Sequence, residues 1–346
     1  MNNSKTLLVD GSYLFKRSIF GGKNLYGNYK DIGGLYTFLT TIRKLIKEVR
    51  ANKVVICWDG ENSGKLRYLI DENYKANRET KSWHKKILLT NNEIENEEKN
   101  KSDLWQKKRI QSYLEELFIR QIEIDEIEAD DLIAYYCKVF GDKENITIYT
   151  NDRDMVQLLN YYDVFLYLAN KDVIIDKLNF FMHFDYHYSN SLTMKIICGD
   201  SSDNVKGIEG IQEKTLLKYF PKLKDRKYLV NEIITEAKRI QKERISENKK
   251  PLKVLDKIIT GKKIYLKNKK LMDLSEPLIN KEVKNEFKNF LLPLDDEDRN
   301  SKNLIKLMKE DGFLNQYQGN FTQYVEPFFN VIVNEKKILK QYTKNN

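Results

Sequence analysis

Two periods of apolar residues alternate along the first 200 positions. Continuous apolar runs at 6–9, 53–58 and 146–150 have the character of strands buried on both faces. Runs at 164–167 and 173–175 read as two more strands joined by a short turn. Between them the 3.6-residue period predicts helices over 35–49, 104–120 and 130–140. Strands alternating with helices predict an α/β fold, a three-layer and mainly parallel sheet, and right-handed crossovers then bring the strand C-terminal ends to one edge. From about residue 190 the strand signal fades, and 190–245 and 275–312 read as helices. Residues 60–110 hold Gly60, Gly64 and many charges without a good strand. They read as a long, partly helical insertion arching away from the sheet, with 91–101 polar enough to be mobile.

Composition narrows this picture. The chain has 346 residues, 41% hydrophobic and 32% charged, enough for one large or two small domains. Its net charge of +9 is unevenly spread: residues 201–290 carry 23 basic and 13 acidic side chains, a surplus of +10, while residues 1–200 are close to neutral. No apolar run approaches the ~18 residues of a membrane span, and the first residues lack the layout of a secretory signal, so a cytoplasmic protein is expected. Cys57, Cys137 and Cys198 sit among apolar residues and read as reduced core thiols.

Three strands deliver an acid at or just past their C-terminal ends: Asp10, Asp59, and the pair Asp152 and Asp154. Ligands of open α/β sheets bind at that edge. Glu128, Asp130 and Asp131 precede an apolar helix, and Asp200 and Asp203, three apart, can share a helix face. Any one of these acids is by itself a helix cap, and Asp152 before Met155 and Val156 is a good one. Nine acids from five segments on one edge are another matter, because crowded carboxylates in a partly dry site repel strongly and need cations. All-oxygen donors suit Mg²⁺ or Mn²⁺ rather than zinc, and two such ions ~4 Å apart form the clamp used in phosphodiester hydrolysis. His183 and His187 lack a third ligand and read as ordinary surface or core residues. No Gly-x-Ser-x-Gly, Walker or Gly-x-Gly-x-x-Gly element follows a strand.

These segments also carry a resemblance. LLVDG at Asp10, VVICWDG at Asp59, EIEADDLIA around Glu128, YTNDRDMVQLL around Asp152 and GDSSDNVKGIEGIQEKT from Gly199 resemble, in order and spacing over residues 5–220, the 5′-nuclease superfamily. Its members include flap endonucleases and the 5′–3′ exonuclease domain of DNA polymerase I. The chain length, the segment SGKLRYLIDENYKANR and the ending around 270–274 look most like the bacteriophage ribonuclease H enzymes, which remove RNA primers from lagging-strand fragments.

The resemblance implies a PIN-like, resolvase-like core over 1–190 with a helical arch at 60–110. A helical DNA-binding region follows over 191–335, with a helix-two-turn-helix near 203–220, and then a basic tail, 336–346. It implies two metal ions with a ligand shell of Asp10, Asp59, Glu128, Asp130, Asp131, Asp152, Asp154, Asp200 and Asp203, some acting through water. Replacing Asp152 is expected to abolish activity. Lys75 and Arg78 would reach the scissile phosphate, where cationic donors are a large electrostatic term, and Tyr74 would stack on the terminal base. Without the surrounding motif, this segment would read as a solvated basic helix face. Lys81, Trp83, Lys85 and Lys86 would contact the strand by charge and stacking. Gly207 and Gly210 would let the backbone approach a phosphate, with Thr215 in the same motif and with Lys214 and Lys218 adding charge. Gln212 stands where the family often has Gly, and Lys206 where it often has Pro; both weigh against the family's turn geometry and against a K⁺ ion there. Asn151 replaces a common Gly, in a position whose left-handed backbone Asn tolerates.

The function expected from the resemblance is a metal-dependent 5′–3′ exonuclease and flap endonuclease acting on DNA with a 5′ flap, a nick or an RNA–DNA hybrid. The alternative is a catalytically silent nucleic-acid-binding relative. A phosphoaspartate receiver or phosphatase would leave the Tyr74–Arg78 segment and the glycine turn without a role. A monomer is expected, with no membrane partner. Lys336, Lys337 and Lys340 read as a solvated terminus or as a contact for a sliding clamp or single-strand-binding protein.

Overall fold

The computed structural model describes residues 4–22, 24–28, 30–76, 91–294, 299–317 and 319–345, with side chains described except at 91–98, 301 and 342–345. Ten strands follow one another: β1 (Lys5–Asp10), β2 (Tyr26–Gly27), β3 (Lys30–Asp31), β4 (Lys53–Asp59), β5 (Arg120–Ile124), β6 (Asn145–Thr150), β7 (Val164–Leu168), β8 (Val173–Ile175), β9 (Gly199–Asp200) and β10 (Val205–Lys206). Six of them form the central sheet in the order β5-β4-β1-β6-β7-β8. Its pairings are parallel except β7 with β8, which are antiparallel and joined by a tight turn. The expected three-layer, mainly parallel sheet is present.

Alternation along each strand divides the core between two faces. Leu7 and Val9 of β1, with Ile56 and Trp58 of β4, face the helix Gly33–Val49, whose Leu35, Phe38, Leu39, Ile42, Leu45 and Ile46 form one buried stripe. Leu8, Val55 and Ile148 face the opposite way, against Leu132, Ile133 and Tyr136 of the helix Ala129–Phe140. Full burial of each such side chain contributes about 1.5–3 kcal/mol, and covering both faces is what a parallel sheet requires.

Three elements differ from the sequence expectation. The helix expected over 104–120 runs from Asn91 to Glu116, so it begins earlier and ends sooner than expected. Phe118 then takes a left-handed φ of 57°, and the chain enters β5, a strand whose Ile122 and Ile124 point into the core. Asp200 and Asp203 do not share a helix face, because β9 and β10 form an antiparallel hairpin around them.

Helices of the region 191–335 pack on both faces of the sheet. Met194, Ile197, Leu216, Leu255 and Phe287 join the core under the helix Ala129–Phe140. Leu304, Met308, Phe313, Phe328 and Val331 pack on the other side with Leu35 and Phe38. The segment 336–346, expected as a tail, continues the helix Phe329–Asn345 as far as that helix extends. Among the described residues no helix is long and apolar enough to cross a membrane.

Candidate active site

The C-terminal ends of β1, β4 and β6 open onto a cleft of about 690 Å³. Asp10, Asp59, Asp130, Asp152 and Asp200 line it, together with Lys16, Lys75, Arg153 and Lys195. Local structure fixes several of these acids. Asp10 ends β1 and caps the helix Gly11–Gly21, its Oδ1 accepting from the Tyr13 amide at 2.8 Å. Asp59 ends β4; its own amide donates to Ser12 Oγ at 2.8 Å and its Oδ1 accepts from the Ala129 amide at 2.9 Å, tying the end of β4 to the starts of two helices, Gly11–Gly21 and Ala129–Phe140. Asp152 accepts from the Asp154 amide at 2.7 Å and caps the turn of 3₁₀-helix Arg153–Asn160.

Electrostatics separate the acids. Burial, with Asp59 and Asp152 nearby, pushes Asp10 up to about 7. Burial, with Asp152 beside it, also takes Asp154 to about 7. Asp130 is raised well above the ordinary range, by burial first and by Asp152 and Asp10 second. Asp200 goes the other way: burial opposes ionisation, but the Lys195 ammonium and the Ser202 hydroxyl and amide outweigh it and hold the acid near 2. Lys195 bridges the carboxylates of Asp154 and Asp200.

The remaining acids expected as metal ligands do not line the cleft. Asp131 turns away from it, gripped by both terminal nitrogens of Arg67 and accepting from the Leu278 amide at 2.9 Å. Glu128 pairs with Arg67 on one oxygen and with Lys75 on the other. Burial works against ionisation of Glu128, yet these two cations hold it below the usual carboxylate range. Asp154 stands behind Lys195. Asp203 lies beside the Tyr74 hydroxyl, whose oxygen is 3.1 Å from Asp203 Oδ2 and 3.2 Å from Glu128 Oε2.

Tyr74, expected to stack on a base, is only 6% exposed. Its ring packs with Val205, Leu271 and Met272, joining the root of the insertion to the hairpin. Lys75 follows with a left-handed φ of 56° and donates its amide to the Asp203 carbonyl at 2.8 Å; strain of this kind gathers at functional sites. Arg78, Lys81, Trp83, Lys85 and Lys86 lie outside the described residues.

The glycine turn is built beside the cleft. Gly199 has φ +74°, and a Cβ there would fall 2.3 Å from the Gly207 amide nitrogen, so these two glycines let the hairpin backbones touch. Gly210, φ +77°, faces open space. Lys214, Thr215 and Lys218 lie on the short helix Glu213–Tyr219 that follows.

Sequence reasoning missed Lys195 and Arg67. Lys195 had a readable signal, a lone charge inside the apolar helix Ser191–Cys198, because a charge at a core position needs a partner. Arg67 had a weaker one, sitting in a short segment between Gly64 and the Tyr74 motif.

A carboxylate-lined cleft at the C-terminal edge of a resolvase-like sheet defines a class of phosphodiester-cutting proteins, and comparison with known proteins specifies it. A family model for the N-terminal, resolvase-like domain of 5′–3′ exonucleases matches residues 5–185. The chain is 29% identical over 289 residues to a 5′–3′ exonuclease of Mycoplasmopsis pulmonis, covering 81% of this chain and 89% of that protein. It is 30% identical over 227 residues to a 5′–3′ exonuclease of Bacillus subtilis, covering 63% and 70%. In fold it resembles the bacteriophage T5 flap endonuclease in a pseudo-enzyme–product complex with DNA and metal ions, with a TM-score of 0.63, 20% identity, and 83% of this chain and 98% of that one covered. The chain belongs to the 5′–3′ exonuclease family of the 5′-nuclease superfamily and is an enzyme of that class.

Proposed function

We propose that this 5′-nuclease hydrolyses phosphodiester bonds near the 5′ ends of flaps, nicks and RNA–DNA hybrids with two divalent cations, and that it removes RNA primers during DNA replication. The observation that carries this reading is the convergence of Asp10, Asp59, Asp130, Asp152 and Asp200 on one cleft beside Lys75.

The donor set fits hard cations. It is all carboxylate, and burial makes Asp10 hold a proton up to about pH 7, a proton that a divalent ion can replace. Among the described residues no three acidic, histidine or cysteine side chains close on a single ion position, and some of these acids would reach the ions through water. Bound there, Mg²⁺ or Mn²⁺ would activate water and offset charge on the transferring phosphoryl group.

The chain's own residues supply the rest. Asp10, Asp59, Asp130, Asp152 and Asp200 would hold the ions, and Asp154 and Asp203 would act through water. Lys75, paired with Glu128 at the cleft, meets the scissile phosphate. The Gly207–Gly210 turn with Lys214 and Lys218 holds duplex DNA away from the cut and sets its register.

A product-size assay on matched DNA-flap and nicked RNA–DNA substrates tests the primer-removal reading. Short RNA-containing products at least as abundant as DNA-flap products support it; cleavage confined to DNA flaps refutes that part.

A further inference from the structure

Arg67 does not line the cleft, yet it makes several polar contacts beside it. The residue is 5% exposed. Its Nε donates to the Leu271 carbonyl at 2.9 Å, at the end of the helix Lys262–Met272. One terminal nitrogen reaches Glu128 Oε2 and Asp131 Oδ2, and the other reaches Asp131 Oδ1 at 3.1 Å. A planar fork with fixed donor directions suits two carboxylates and a carbonyl held at once, which an ammonium cannot reproduce.

The contacts continue toward the cleft. The Glu128 oxygen that Arg67 holds is also 3.2 Å from the Tyr74 hydroxyl, and the other Glu128 oxygen holds the Lys75 ammonium. The Lys75 backbone is fixed independently, by its amide on the Asp203 carbonyl and by Asn204 Nδ2 donating to the Asn73 carbonyl at 2.8 Å. Lys75 therefore has an anchored main chain and an ammonium that pairs with Glu128 over the Tyr74 ring, and both Glu128 and the Tyr74 hydroxyl adjoin the groups that Arg67 holds.

We propose that Arg67 is a positioning residue for the reaction: it orients Glu128, and Glu128 sets where the Lys75 ammonium stands when substrate enters. The inference rests on the reading of Lys75 as the cation that meets the scissile phosphate. Arg67 touches no reacting atom. It acts by limiting the positions of Lys75, so its loss lowers turnover and leaves substrate affinity alone.

The test is a double-mutant cycle on single-turnover flap cleavage, with flap-DNA affinity measured separately in EDTA and folding followed by thermal melting. Lys75→Ala is expected to slow the chemical step about 100-fold. Arg67→Met is expected to slow it about tenfold in the otherwise unchanged protein and less than twofold in the Lys75→Ala background, with affinity unchanged in both. If Arg67→Met fails to fold, Arg67→Lys is put through the same cycle, since it keeps the charge and loses the fork. Equal losses in both backgrounds, or a loss of affinity that accounts for the slower cleavage, overturn the proposal. Lys75→Ala without effect on the chemical step overturns the functional reading beneath it instead.

Discussion

Asp10 and Asp200 line one cleft, yet they are held on opposite sides of the ordinary carboxylate range, at about 7 and about 2. Lys195, with the Ser202 hydroxyl and amide, outweighs the burial of Asp200, whereas the Tyr13 amide and Lys16 offset the deeper burial of Asp10 only in part. An acid whose folded pKa lies above its unfolded value binds protons better in the folded chain. Its stabilising effect is therefore full below the unfolded value of 3.8 and lost as pH rises toward 7. Asp154 adds to this effect in the same window. Asp200 has the opposite sign, with stability lost only as pH falls from 3.8 toward 2. In EDTA the melting temperature is expected to fall by on the order of a few degrees between pH 4 and pH 7. Mg²⁺ is expected to raise it more at pH 8 than at pH 5. Calorimetry at fixed ionic strength checks both, and a Mg²⁺ effect independent of pH would tell against these acids as the binding groups.

Lys195 stands between Asp154 and Asp200 with a side chain only 20% exposed. Removing it leaves two carboxylates facing each other in a mostly buried site, at a cost of about 3 kcal/mol. Lys195→Ala is expected to lose about that much stability in EDTA, to regain much of it in Mg²⁺, and to cleave at least tenfold more slowly. Urea melts with and without Mg²⁺ read the first two effects, and equal losses in both conditions would refute the link to the ions.

How far the sequence could reveal this site depends on the range of the interaction. Acids at strand ends are legible because the strand pattern and the carboxylate are neighbours in sequence, as in Val9–Asp10 and Trp58–Asp59. Strand β5 was hidden because the helical period of 104–116 runs straight into Ile119, and only Phe118's left-handed backbone separates the two elements. The pairing of Glu128 and Asp131 with Arg67 was hidden for another reason. Both acids were counted with their neighbour Asp130, but their partner Arg67 is about sixty residues away in sequence, and no local pattern reports such a pairing. Tyr74 sits in a motif that suggests stacking, while its burial depends on Leu271 and Met272 from the far end of the fold.

Arg120 and Glu335 form a buried ion pair at 2.7 Å, with side chains 2% and 1% exposed, joining β5 to the last helix. Arg120 also donates to the carbonyls of Phe290 and Leu292. Glu335→Gln leaves the guanidinium without its counter-charge, and a loss of about 3–5 kcal/mol is expected. Cleavage at low temperature should be unchanged, because the pair lies far from the cleft in the fold. A denaturant midpoint close to that of the unaltered protein would show that the terminal helix contributes little.

Residues 201–290 carry the whole positive surplus, +10. If this region grips duplex DNA, affinity should weaken steeply with salt. The double substitution Lys214→Ala with Lys218→Ala is expected to reduce the slope of log K against log [salt] by about 1.8, near 0.9 per lost phosphate contact. Titration of a fluorescent flap substrate in EDTA from 50 to about 200 mM salt measures it. An unchanged slope would remove these lysines from the interface.

Cleavage of a 5′-labelled DNA flap by the unaltered protein and by Asp152→Asn, each with Mg²⁺ and with EDTA, bears most directly on the account as a whole. The expected result is cutting near the flap junction by the unaltered protein in Mg²⁺ alone, and none by Asp152→Asn although it melts as a folded protein. Absence of cleavage in Mg²⁺ and Mn²⁺, or full activity of Asp152→Asn or in EDTA, would contradict a carboxylate-held metal site as the catalytic centre.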